Sequence, residues 1–123
     1  MQSESILTSI KKLLGLSADY TAFDQDITIH INTAFMLLSQ LGVGPKEGFR
    51  ITDNSKTWAD FLKEDDMTLE GVKTYIYLKV RLVFDPPTSS FVLEAFNKQI
   101  EELEFRLNVQ SEPLIVKEEI LDE

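Results

Sequence analysis

The chain has 123 residues, enough for one folded domain with a single core and too few for two full ones. Its 21 acidic and 12 basic side chains give a net charge of −9, which disfavours nucleic-acid binding, because phosphate binding needs clustered Lys and Arg. The lack of cysteine excludes disulfides and thiolate chemistry. The sequence has no long uncharged apolar run and no signal-peptide pattern, so we expect a protein without a membrane segment, made in and staying in the cytoplasm.

Two helices are predicted in the first third of the chain. Apolar residues recur on one helical face over residues 5–14, and Gly15 follows where a left-handed residue commonly ends a helix. These apolar positions are Ile6, Ile10, Leu13 and Leu14. A second helix is predicted over residues 23–41, because residues 21–24 have the spacing of a capping box and apolar residues follow at helical steps. Gly42 should end this helix.

A glycine-rich segment follows, and it should be the most exposed part of the fold. Residues 43–55 contain turn formers around a short apolar piece, which predicts a loop or a short hairpin. Asp53 begins a sequence similar to a calcium loop, but the required glycine is missing, so an Asx-type turn is the simpler interpretation. Thr57 is placed to cap a short helix that contains Trp58 and Phe61.

The next segment, residues 69–84, is apolar on nearly every side and predicts a central helix that starts at Thr68. Asp85, Pro86 and Pro87 form a stiff hinge after it. Proline lacks an N–H donor and disfavours helical dihedrals in the residue before it, so the helix should end near Phe84. Thr88 or Ser89 can then cap the following helix.

A fifth, amphipathic helix is predicted after the hinge. Its apolar stripe consists of Val92, Phe96, Ile100, Leu103 and Leu107. Opposite charges four residues apart support it at Glu94/Lys98, Lys98/Glu102 and Glu102/Arg106. Phe91, Leu93 and Phe105 fall off the stripe, so one buried face cannot cover every apolar side chain of this helix.

The predicted fold is all-α, a compact bundle of about five helices with the two long C-terminal helices joined by the Asp-Pro-Pro hinge. We divide the chain into a helical domain, residues 1–108, and an extended acidic tail, residues 109–123. Pro113 should stop helical continuation. Leu114, Ile115 and Val116 form an apolar patch within the acidic tail.

No residue is assigned a catalytic, cofactor-binding or metal-binding role. His30 is the only histidine, and no cysteine accompanies it, so a metal site or catalytic triad is a weak interpretation. Residues 42–48 are similar to a dinucleotide-binding loop, but they follow a helix instead of a strand and have one residue too many before the last glycine. The neighbouring acids Glu101 and Glu102 are interpreted as solvated surface.

Several segments together resemble the head-tail connector (adaptor) proteins of tailed bacteriophages. Residues 24–44 are similar to the second helix of that family and its exit, and residues 58–62 to its short middle helix. Residues 72–87, which end in Phe-Asp-Pro-Pro, are the closest match, continued by residues 89–91 and 100–104. The resemblance covers about residues 5–108.

The resemblance implies a non-enzymatic virion-assembly protein of the phage neck. Such a protein docks on the portal, forms a ring of about twelve copies and extends the DNA channel to the tail. It implies contacts with the portal protein and other neck or tail-completion proteins, and a subunit that is monomeric before docking. DNA passes through without specific binding, and no cofactor is needed.

We place the functional residues where apolar side chains exceed what one core needs. The predicted subunit or portal interface consists of Phe91, Leu93, Phe105, Leu114, Ile115 and Val116. The hinge consists of Asp85, Pro86 and Pro87. Channel lining or a neighbouring-subunit contact is predicted for Lys46, Glu47, Phe49 and Arg50, because loops often carry function while the core stays intact.

Two alternatives remain open at this level. An acidic regulatory protein or DNA mimic would array carboxylates on one face, whereas the densest acids here alternate with basic partners. Another neck component, such as a head-closure protein, would be expected to contain more sheet. A hydrolase or metal enzyme is disfavoured by the single histidine and the lack of cysteine.

Overall fold

The computed structural model describes residues 3–63 and 67–111 of the chain. Within these ranges the fold is all-α, and no strand is present. The helices are α1 (Ile6–Leu13), α2 (Asp24–Gln40), α3 (Trp58–Phe61), α4 (Thr68–Phe84) and α5 (Ser90–Ser111). The predicted fold class and the order of its helices are confirmed. The division at residue 108 stays a prediction, and α5 itself continues to Ser111.

Helix α1 begins and ends as predicted, but one of its apolar residues lies outside the core. The Ser5 hydroxyl accepts a hydrogen bond from the N–H of Thr8, and Gly15 has a φ of 84°, the left-handed conformation that suits a helix end. Leu13 is 54% exposed, contrary to the predicted face. The buried face of α1 is instead centred on the side of Ile6 and Ile10, and Leu13 lies at its margin.

Helix α2 also has the predicted extent, yet its predicted capping box is wrong. Phe23 is the N-cap, and it forms no side-chain capping bond. The carboxylate of Asp24, which the spacing assigned to the cap, lies 2.8 Å from the Nζ of Lys11 instead. Lys11 is almost fully buried, and a buried ammonium group requires such a partner. Gly42, with a φ of 86°, follows the helix end.

The segment around residues 43–55 is a loop, one of the two forms predicted from the sequence, and two of its apolar side chains hold it against the core. Val43 and Ile51 are buried. The side-chain amide of Asn32 accepts a hydrogen bond from the N–H of Ile51 at 2.8 Å and donates to its carbonyl at 2.9 Å. Asp53 forms the predicted Asx-type turn by accepting from the N–H of Ser55.

The short helix α3 anchors the loop to α1. The Asp60 carboxylate accepts hydrogen bonds from the N–H and the hydroxyl of Thr57, which confirms Thr57 as the cap residue. Trp58 is buried, and its indole N–H donates to the Ser9 hydroxyl at 2.8 Å. Tertiary contacts therefore hold this helix, which is too short to be stable alone.

Helix α4 is the central element, as its apolar composition predicted. It packs against α1, α2 and α5. Its buried residues are Leu69, Val72, Tyr75, Ile76, Leu78 and Val80. The helix ends at Phe84, and Asp85 leaves the helical region with φ −149° and ψ 72°. The Ser89 hydroxyl accepts from the N–H of Val92 at the start of α5, so both sides of the predicted hinge are confirmed.

Helix α5 packs on α4 through its C-terminal half. Leu103 and Leu107 lie over Gly71 of α4, close enough for van der Waals contact with a Cβ at that position. The buried hydroxyl of Tyr75 donates to the Glu104 carboxylate at 2.8 Å. The geometry between the two long helices is thus fixed at both the hinge and this polar contact.

Candidate functional site

The N-terminal half of α5 lies outside the core. Every residue from 90 to 99 is exposed except Phe96, which is half-buried. The predicted interface residues are among them: Phe91 is 80% exposed and Leu93 is 37% exposed. Later in the same helix, Phe105 is 70% exposed. Aromatic residues are enriched in protein association surfaces relative to the rest of the surface.

The exposed aromatic residues share one side of the helix, which we call the α5 outer face. It consists of Phe91, Glu94, Lys98, Glu101, Glu102 and Phe105. Buried Ile100 comes nine residues after Phe91, which is half a turn around the helix at about 100° per residue. Phe91 and Phe105 lie about 21 Å apart along the axis at 1.5 Å per residue. The α5 outer face therefore presents two aromatic side chains separated by charged ones.

Ion pairs along α5 organise the charges of this surface. Lys98 lies 3.6 Å from Glu94, and Arg106 lies 2.9 Å from Glu102. Both pairs are four residues apart, as predicted, and both are solvent-exposed, so each stabilises the helix by only about 0.3–0.5 kcal/mol. With three carboxylates and one lysine, the α5 outer face remains acidic.

Arg81 connects the hinge to α5, a role that the sequence analysis missed. Its Nε donates to the carbonyl of Asp85 at 3.0 Å, and its Nη1 donates to the hydroxyl of Tyr77 at 2.9 Å. Its guanidinium also lies 5.6 Å from the ring centre of Phe96. Tyr77 and Asp85 lie four residues before and after Arg81 in the sequence. Residues four apart are neighbours on a helix, so this spacing could have indicated both contacts.

The predicted loop residues divide into exposed and packed ones. Lys46, Glu47 and Arg50 are exposed. Phe49 is half-buried, and its ring centre lies 4.9 Å from that of Phe35 and 5.2 Å from that of Phe61. The packing of Phe49 fixes the position of the loop, while the charged residues beside it remain available to a partner.

A groove of about 770 Å³ lies between α2 and this loop, and we call it the α2–loop groove. Its lining residues are Asn32, Phe35, Met36, Ser39, Gln40, Glu47, Gly48, Phe49, Arg50, Thr52 and Lys56. Met36 is 54% exposed in it. Met36 could not be identified as a groove residue from the sequence, because the groove exists only where the loop folds back on α2.

A family model described as phage connector protein matches residues 6–113. The chain belongs to the phage connector family. The match extends from α1 through α5 and includes the hinge, so the resemblance found in the sequence is confirmed. Comparison with curated proteins found no match, and comparison with solved structures found none either.

Membership of the phage connector family gives this protein a structural role in the phage particle, at the neck. A structural family fits the prediction that the chain is not an enzyme. Among the described residues, no group of three or more His, Cys, Asp or Glu side chains is arranged to hold a metal ion. His30 is half-buried on α2, beside Lys79 and Val83 of α4. Over the same residues, none of the connector's helices is long and apolar enough to cross a membrane.

The structure describes the predicted hinge residues but not the predicted interface residues 114–116. Asp85 and Pro86 are exposed and Pro87 is half-buried, so the hinge is accessible on one side. Leu114, Ile115 and Val116 lie outside the described residues. Their assignment to a portal or subunit interface stays a prediction.

Proposed function

We propose that this connector docks on the portal vertex of the phage head, assembles there into a ring of about twelve subunits and extends the DNA channel toward the tail. The observation that carries the proposal is the α5 outer face. Phe91 and Phe105 are 80% and 70% exposed on a helix whose opposite side is packed on α4. A partner that covers this face would remove both aromatic side chains from water.

A closed ring requires that each subunit offer two different, complementary surfaces, because its contacts run head to tail. The α5 outer face, with its two exposed aromatic side chains, is one such surface, and the α2–loop groove with Met36 is another. No residue of α4 or α5 lines the groove in the described part of the chain, so the two surfaces are separate. This arrangement supports a ring over a closed dimer.

The charge of the connector suits a channel through which DNA slides. A net charge of −9 repeated around a ring produces a negative potential, which repels phosphates and prevents tight binding. The acids of α5 are paired at Glu94/Lys98 and Glu102/Arg106, unlike the uninterrupted carboxylate rows expected of a DNA mimic. The all-α fold of the described residues argues against a sheet-rich head-closure protein.

Electron microscopy of the connector mixed with its portal protein tests this function. We expect additional ring density at the outer end of the portal. The variant Phe91→Ser/Phe105→Ser should keep the helical circular dichroism spectrum and lose the density, because both side chains are exposed in the free subunit. Met67→Ser is the matched control, since Met67 is 90% exposed but lies before α4. Portal particles that never acquire density with the unmodified connector would contradict the proposal.

A further inference from the structure

The α2–loop groove has an apolar floor and a basic rim. Phe35 and Phe49 form its floor with their ring centres 4.9 Å apart, and Met36 also lines it. Arg50 and Lys56 line the groove, with Glu47 as the only acid among its lining residues. In a chain of net charge −9, this is a local reversal of sign.

The cations of the groove are available to a partner. Within residues 3–63 and 67–111, neither Arg50 nor Lys46, which precedes the groove in the loop, forms an ion pair. A hydrogen bond from Ser55 lowers the pKa of Asp53, and one from Thr57 lowers the pKa of Asp60. The positive charge of Lys56 is the smallest contribution to each of these two shifts. An acidic surface placed over this rim would meet positive charges without first breaking a salt bridge.

The α5 outer face has the complementary properties. It carries the carboxylates of Glu94, Glu101 and Glu102 between two exposed aromatic rings. Its apolar side chains match the floor of the groove, and its acids match the rim. The groove volume of about 770 Å³ is also large enough to receive a bulky side chain.

We propose that the α5 outer face of one subunit docks on the α2–loop groove of the next, with an aromatic side chain against Met36 and carboxylates facing Arg50 and Lys56. This inference rests on the proposed function and identifies the subunit contact of the ring. The contact is heterologous, since the groove on the first subunit remains open for a third copy.

Pairing of two α5 helices with each other is disfavoured by their charges. Antiparallel packing of two outer faces about Lys98 would bring Phe91 to Phe105, but it would also oppose Glu94 to Glu102 and Lys98 to its own copy. Like charges placed directly opposite one another destabilise a helix pair. The basic rim of the groove offers the acidic helix a better partner.

Chemical crosslinking tests the contact, because the chain lacks cysteine and thiols can be placed singly. The variant Gln40→Cys/Lys98→Cys puts one thiol in the groove and one on the α5 outer face without removing either aromatic anchor. It is mixed with a cysteine-free portal protein and treated with a short bis-maleimide. The control is Val83→Cys/Lys98→Cys, since Val83 is 62% exposed on α4 outside the groove. Lys98→Cys alone reports any contact between two α5 helices.

We expect a ladder of crosslinked subunits from Gln40→Cys/Lys98→Cys and essentially monomer from the control. Two results would overturn the contact while leaving the proposed function intact: dimers from Lys98→Cys alone, or no ladder although microscopy of the same sample shows a ring. Failure of the unmodified connector to form a ring on the portal would instead remove the proposed function, and this contact with it.

Discussion

Tyr75 and Glu104 form a hydrogen bond that joins α4 to α5. The Tyr75 hydroxyl is buried and donates to the carboxylate at 2.8 Å. Burial, together with the hydrogen bond and the negative charge of Glu104, raises the pKa of Tyr75 well above its ordinary value. Ionisation of this phenol is therefore coupled to the loss of the α4–α5 contact.

The sign of the resulting pH dependence follows from the raised pKa of Tyr75. In the unfolded chain the phenol loses its proton near its ordinary pKa of about 10, whereas the folded chain keeps it. Stability from this group is fully present below about pH 10 and is lost as the pH rises above that value. We expect the free energy of unfolding, measured with urea from pH 8 to 11, to fall more steeply for the unmodified chain than for Tyr75→Phe.

The control for this residue is Tyr20→Phe, because Tyr20 is exposed. It should keep the steep fall above about pH 10 that Tyr75→Phe loses. Equal slopes for the unmodified chain and Tyr75→Phe would show that Tyr75 does not contribute. At lower pH, Tyr75→Phe should be less stable by about 1–2 kcal/mol, since the partly buried carboxylate of Glu104 loses its donor.

At the scale of elements, the hinge decides where α5 projects. Asp85 leaves the helical region. The Nε of Arg81 donates a hydrogen bond to the carbonyl of Asp85 at 3.0 Å, and the Arg81 guanidinium lies over the ring of Phe96. The two prolines stiffen the unfolded as well as the folded chain. We therefore expect the hinge to contribute modestly to stability and strongly to the direction of the exposed half of α5.

Replacing both hinge prolines separates these two contributions. We expect Pro86→Ala/Pro87→Ala to lower the free energy of unfolding by only about 1–2 kcal/mol. Ring formation on the portal should be lost, because helix can now extend through the hinge and misdirect Phe91. The control Thr88→Ala, at the exposed position that follows the hinge, should assemble normally. Loss of assembly only in proportion to loss of stability would show that the hinge is merely a folding element.

At the scale of the whole molecule, two kinds of contact must be distinguished, subunit to subunit and subunit to portal. We assign the first to the α5 outer face and the α2–loop groove. For the second we propose the segment 113–116, whose apolar β-forming residues can add as a strand to an exposed sheet edge of a partner. The residues around this segment are acidic. A stretch that served only to keep the chain soluble would not need apolar residues, so we expect them to contact a partner.

Truncation tests the portal contact. A chain ending at Ser111 should fold and unfold like the full chain, because α5 contacts α4 through residues up to 107. We expect its binding to the portal, measured by sedimentation, to fall by at least about tenfold, the loss that about 1.4 kcal/mol produces. Leu114→Ser/Ile115→Ser/Val116→Ser in the full-length chain should reproduce the loss. Unchanged portal binding of both variants would refute the role of this segment.

Local sequence signals determined the helices and the hinge of this protein. Apolar periodicity, glycine after α1 and α2, and two prolines after α4 act within a few residues, so they can be interpreted without knowing the fold. The same signals identified the exposed positions Phe91 and Phe105, since one helix face cannot bury residues on opposite sides. They also supported the family resemblance.

Only the tertiary structure decided the contacts between distant segments. Asp24 binds Lys11 instead of capping α2, Asn32 holds Ile51 against the core, and the groove around Met36 forms where the loop returns to α2. Each of these contacts depends on which surfaces of the helices and loop meet in the fold. The spacing of residues within one segment does not specify this. The sequence by itself determined that aromatic side chains of α5 are left over, and only the fold shows the groove with a basic rim that we propose receives them.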